Sequence, residues 1–121
     1  MDPVKRERSY SNNAHYENID RPNYHLIAEA RVRRVLSDNK TATGVEFVHN
    51  SRTWSITAVK EVILSAGAVH TPQLLQVSGI GPKKVIEAAG LEILVDLPGV
   101  GQNFQDHSPI EAVIQRMLNP S

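Results

Sequence analysis

Residues 67–81 read GAVHTPQLLQVSGIG, and their reading decides the fold. Upstream lies EVILSAGA (Glu61–Ala68), a short continuous apolar run of the kind that suits a strand buried on both faces of a parallel sheet. Within the stretch, Thr71-Pro72 is placed to open a helix, since proline at the first helical position sacrifices no hydrogen bond. Leu74, Leu75 and Val77 supply the helix's buried side, and Gly79 is placed to end it. Pro82 then opens a second helix, with Val85, Ile86 and Ala89 on one stripe and Gly90 as the stop. Beyond it, LEILVDLPGVGQNFQDH (Leu91–His107) reads as a short strand and a Gly/Pro-rich loop, and SPIEAVIQRMLNPS begins as another strand.

Upstream, the periodicity changes. Tyr24–Leu36 places Leu26, Ala28, Ala30 and Val32 at period two against Glu29, Arg31 and Arg33, which predicts one strand or two short ones. Ser37-Asp38-Asn39-Lys40 is a turn by composition. Thr41–His49 is a second strand, with Gly44 as a bulge or close-approach point. Asn50-Ser51-Arg52 turns again, and Thr53–Val59 forms a third strand with Trp54, Ile56 and Ala58 on one face. Hairpin spacing makes these an antiparallel meander. Residues 1–23 are a polar, aperiodic lead-in that ends in a turn at Asp20–Asn23. The expected fold class is therefore α+β: a meander, one buried parallel-type strand and two short helices.

Composition excludes several function classes. Thirteen basic side chains balance thirteen acidic ones over 121 residues, which argues against a nucleic-acid binder that tracks phosphates. Without cysteine, neither a disulfide scaffold nor a thiolate metal site can form. His49, His70 and His107 have no metal-ligand spacing, and SGIG around Ser78 lacks the nucleophile-elbow context. No stretch approaches the ~20 apolar residues of a membrane span. MDPVKRERSYSNN has no apolar leader core, so the chain as given is expected in the cytoplasm, with secretion expected if a leader precedes it.

Following a buried strand, Gly67–Gly81 resembles the second signature of the glucose-methanol-choline (GMC) flavoprotein oxidoreductases. Gly67, Ala68, Thr71, Pro72, Leu74, Leu75, Ser78, Gly79, Ile80 and Gly81 sit where that pattern wants them. The surroundings agree in order: DRPNYHLIAEARVRRVL and TATGVEF resemble the family's first meander strands. LPGVGQNFQDH resembles its downstream loop, with Phe104 in place of the common leucine. The resemblance covers roughly residues 8–115 and is closest in wording to fungal members.

The resemblance implies an α/β FAD-binding domain of the glutathione-reductase type, of which residues 24–121 form a part. It implies oxidation of a small-molecule alcohol at a CH–OH group by hydride transfer to FAD, with fungal secondary metabolism as the expected setting. No G-x-G-x-x-G spacing occurs among the seven glycines, and the family's catalytic histidine segment has no counterpart here. The chain therefore reads as an internal segment, and no catalytic residue is assigned to it. The competing expectations are a non-catalytic remnant or interaction module, self-associating or paired with a longer paralogue, and a scaffold turned to non-redox work.

The resemblance also implies cofactor-binding residues. Val32 matches the position whose backbone pairs with the adenine edge, although an ordinary strand valine would fit the same pattern. Ser65, Ala66 and Gly67 close the apolar run, where small residues let a cofactor approach; Gly67 would equally serve only the strand-to-helix turn. Asn103, Asp106 and His107 shape the downstream loop near the flavin, with an Asp–His hydrogen bond as the expected structural role. His70 falls at a free position of the pattern and reads as a surface or capping histidine.

Overall fold

The computed structural model describes residues 10–11 and 21–107. The expectations for the remainder of the lead-in and for the strand after His107 lie outside the described residues. The chain divides into two units, Met1–Ala30 and Arg31–Ser121. In the first, the Tyr24 N–H donates to the Arg21 carbonyl at 3.0 Å, closing the expected turn. Residues 24–30 form no strand, and Glu29 turns the backbone at φ 54°. The period-two alternation of Leu26 to Val32 thus belongs mostly to irregular chain, and the strand begins only at Arg31.

The second unit opens with the meander. Strands β1 (Arg31–Asp38), β2 (Thr41–His49) and β3 (Arg52–Thr57) pair antiparallel in the order β1-β2-β3. Ser37 and Asp38 belong to β1 and Arg52 to β3, so each connection is tighter than composition suggests. Asn39-Lys40 and Asn50-Ser51 make two-residue turns with positive φ throughout, 43° and 70° in the first and 49° and 59° in the second. That geometry matches the right-handed twist of the flanking strands. Arg34 and Glu46 stand opposite each other and form an ion pair at 3.1 Å. With the arginine side chain 55% exposed, the pair contributes less than about 1 kcal/mol.

Two irregularities in the β1–β2 register shape the sheet. Val32 faces Phe47 but Arg34 faces Glu46, leaving Arg33 as an extra residue on β1; Leu36 faces Gly44 but Ser37 faces Ala42, leaving Thr43 extra on β2. A bulge resets the alternation of faces. Val35 therefore joins Val32, Val45, Phe47, Trp54 and Ile56 on one apolar face. Val35 and Phe47 are buried there, while Trp54 and Ile56 on the outer strand stay about half exposed.

Helix α1 spans Gly67–Val77, five residues earlier than a start at Pro72, and Pro72 lies inside it. The Thr71 hydroxyl reaches back to accept the Ala66 N–H at 3.1 Å and supports the early start. Gly79 ends the helix as expected, with φ 83° and its N–H donated to the Gln76 carbonyl at 3.0 Å. Next come β4 (Ile80–Gly81), α2 (Lys83–Ala88) and β5 (Val95–Asp96), with β4 and β5 paired parallel. Asp96 accepts the Lys83 N–H at 3.0 Å and so caps α2 from the far strand. Ile86 is the anchor of this small unit at 1% exposure, a burial worth roughly 1.5–3 kcal/mol. Its neighbour Val85, expected on the same buried stripe, is instead exposed.

Residues 61–66 belong to no strand of the described structure. Their exposure alternates, and Ile63 is 75% exposed. A strand needs neighbours to donate and accept its backbone hydrogen bonds, and none of the described strands pairs with this run. The mixed α and β architecture is as expected, but this run is not the buried strand its apolar sequence predicts.

Candidate functional site

Two segments meet at an open cleft of about 740 Å³. Ala68, Val69, Pro72, Gln73 and Gln76 of α1 form one wall, and residues 101–105 form the other. The loop wall follows β5 and is shaped by local turns: the Val100 N–H donates to the Leu97 carbonyl at 3.2 Å, and the Gln102 N–H to the Gly99 carbonyl at 3.1 Å. Gly101 and Asn103 carry φ values of 78° and 56°. The polar side chains of the lining are uncharged amides: Gln73, Gln76, Gln102, Asn103 and Gln105.

The N-terminus of α1 opens nearby. No side chain caps it and no acidic residue sits in its first turn. Its first N–H groups therefore have no intrahelical acceptor, and the helix dipole favours an anion there. Space is available as well, because a Cβ added at Gly67 would meet nothing within 4 Å. These features fit the phosphate or polar edge of a nucleotide cofactor.

Of the residues singled out from sequence, Asn103 lines the cleft directly. Ser65 and Ala66 immediately precede α1, and Gly67 is its first residue; all three are exposed. Val32 sits in β1, 40% exposed, and is not part of the cleft lining. Asp106 and His107 follow the loop wall and are exposed. Asp106 accepts the backbone N–H of His107 at 2.8 Å. The expected Asp–His contact thus runs through the main chain, because adjacent residues in an extended loop reach each other's backbone more readily than their rings. His70 is exposed, with Nδ1 3.1 Å from Gln73 Oε1.

Two residues that hold the site together carry no sequence signal for that role. Ser78 Oγ accepts the Val35 N–H at 2.8 Å and donates to the Leu74 carbonyl at 2.6 Å. One hydroxyl thereby joins the end of α1 to the outer edge of β1, three residues from Val32. Gln76 reaches the loop wall, its Nε2 donating to the Val100 carbonyl at 3.4 Å. Replacing Ser78 with alanine leaves a buried N–H without an acceptor, so a loss of roughly 1–3 kcal/mol is expected. A urea midpoint equal to that of the parent chain would show that the hydroxyl is dispensable.

The family model for GMC oxidoreductases matches residues 2–109, and the chain belongs to the GMC oxidoreductase family. It is 45% identical to Dehydrogenase xptC of Emericella nidulans over 112 residues, covering 89% of this chain and 18% of the relative. It is 57% identical to the oxygen-dependent choline dehydrogenase of Photobacterium profundum over 75 residues, covering 62% and 13% of the two chains. Among solved structures, an FAD-dependent oxidoreductase from Chaetomium thermophilum aligns with a TM-score of 0.72 at 38% identity, over 76% of this chain and 16% of that one. Formate oxidase from Aspergillus oryzae aligns at 0.55 and 35% identity, over 56% and 12%. The chain thus spans about a fifth or less of the length of these relatives. Among the described residues, no helix is long and apolar enough to cross a membrane.

Proposed function

We propose that this chain forms part of the FAD-binding domain of an oxidoreductase that oxidises a small-molecule alcohol at a CH–OH group. The observation that carries the reading is the uncapped α1 N-terminus beside an amide-lined cleft, within a segment that matches a GMC oxidoreductase family model. FAD, when bound, supplies the hydride acceptor of the reaction. The chain's own part is to bind and orient it. Ser65, Ala66 and Gly67 leave room for close approach, and the first N–H groups of α1 face negative charge. The Val32 backbone meets the adenine edge, and Asn103, Asp106 and His107 shape the loop wall.

The test is a chimera: residues 31–107 replace the matching segment of a related flavoenzyme. Stoichiometric flavin absorbance and retained alcohol oxidation are expected, and a folded chimera that purifies colourless would refute the proposal. The 121-residue chain on its own is expected to hold no stoichiometric flavin, because no G-x-G-x-x-G turn is present to seat a pyrophosphate.

A second reading, an interaction module that self-associates or pairs with a longer paralogue, is favoured by one feature. Trp54 and Ile56 on the edge strand are about half exposed, and Val59 and Ile63 beyond it are 99% and 75% exposed. Edge strands with apolar surface invite pairing. A monomer by size-exclusion chromatography across a wide concentration range would count against this reading.

A further inference from the structure

We propose that Gln76 is a positioning residue that holds the loop wall of the cleft, and with it Asn103, in register with α1. Gln76 is a half-buried side chain that passes between two glycines on separate segments. A Cβ on Gly81 would come to 3.0 Å from Gln76 Cγ, and one on Gly101 would come to 3.1 Å from Gln76 Nε2. A side chain at either position would press on Gln76 and shift it by a few tenths of an ångström. At its end, Nε2 donates to the Val100 carbonyl at 3.4 Å, 24 residues away in sequence. A Cβ on Gly101 would also come to 3.5 Å from Pro72 Cβ, so the loop passes close to α1 at two successive turns of the helix.

Consequence follows from geometry. Asn103 is two residues beyond Gly101 and holds a left-handed backbone, φ 56°. Its direction into the cleft is therefore set by where Gly101 is pinned. The backbone hydrogen bonds of the loop, Val100 to Leu97 and Gln102 to Gly99, are internal turns and do not tie it to α1. The Gln76 amide is the hydrogen bond that makes this connection. What the pinned loop presents to a cofactor rests on the flavin reading above; the pinning itself does not.

Amide hydrogen exchange on the full chain tests the proposal with two variants. Gln76→Met keeps the length and fill of the side chain but removes the donor, whereas Gln76→Ala removes both. In each, the Val100 and Gln102 amides, which the loop's own turns protect, are expected to exchange roughly three- to tenfold faster, the scale of one lost hydrogen bond. Amides of β1, β2 and β3 are expected to keep their rates. Wild-type loop exchange in Gln76→Met would overturn the proposal, because the side chain would then be only a filler. An equal acceleration in the meander would overturn it too, as general destabilisation. In the flavin-loaded chimera, Gln76→Met is expected to weaken FAD affinity by a similar factor, and unchanged affinity with a loosened loop would overturn the link to the cofactor. A parent chimera that takes up no flavin would sink the functional reading instead, leaving the exchange comparison to decide Gln76.

Discussion

Gly44→Ala is expected to destabilise the chain by about 3 kcal/mol and to strip protection from the β2–β3 hairpin first. At this position a Cβ would run into the Ile56 carbonyl oxygen on β3 and would stand 3.1 Å from both the Ile56 carbonyl carbon and the Thr57 Cα. All three atoms are backbone, so no rotamer change relieves the contact. Gly44 is buried, pairs with Leu36 on one side and Thr57 on the other, and follows the extra residue Thr43. A bulge raises the local twist, and so close an approach of β2 to β3 is tolerable only without a side chain. Either β3 moves away, which breaks its ladder, or β2 slips. Slippage would turn Val45 and Phe47 off the apolar face. A denaturant midpoint for Gly44→Ala within error of the parent would show that β3 can yield, and would overturn this account of the sheet.

The second large effect is expected at Gly79, where two costs coincide. Its φ of 83° is a left-handed conformation that costs a residue with a Cβ roughly 1–2 kcal/mol. In addition, a Cβ would stand 2.7 Å from the Glu92 carbonyl oxygen and 3.1 Å from the Leu94 nitrogen. Gly79 also accepts hydrogen bonds from the Leu94 and Val95 N–H groups at 2.8 and 3.0 Å. It therefore ends α1 and starts the β4–β5 pairing in the same residue. Gly79→Ala is expected to lose about 2–4 kcal/mol, the sum of strain and overpacking. Gly79→Asn separates the two causes, because asparagine tolerates the left-handed region but not the close approach. It is expected to do no better than alanine in a urea titration. Recovery to near-parent stability would assign the whole effect to φ and remove the packing argument.

Local chemistry made much of this fold readable. The Thr41–His49 strand agrees with its expected limits because β-branched residues run between two turn-forming asparagine pairs. Gly79 and Gly90 mark helix ends because a positive φ is cheapest at glycine. Gly44 was legible as a close-approach point for the same reason, namely a glycine inside a strand pattern. The failures have a shared cause too. Strand β1 begins at Arg31 because no strand among the described residues pairs with the alternation before it, and alternation without a ladder makes no strand. The bulge at Arg33, which brings Val35 inward, leaves no mark on composition. Strand β4 is two residues long and owes its existence to β5, fifteen positions later.

The candidate site divides along the same line. Taken alone, the sequence determined that GAVHTPQLLQVSGIG turns into a helix that stops at Gly79, that three strands form a meander, and which family pattern the stretch follows. Each depends on contacts between near neighbours or on residue types with one physical use. Tertiary structure alone decided that α1 starts at Gly67, that the loop through Asn103 forms the opposite wall of a cleft, and that Ser78 and Gln76 tie these parts together. The two ties are hydrogen bonds spanning 43 and 24 residues. A serine or glutamine carries no local trace of which distant carbonyl or amide it will meet, so only the folded chain could reveal it.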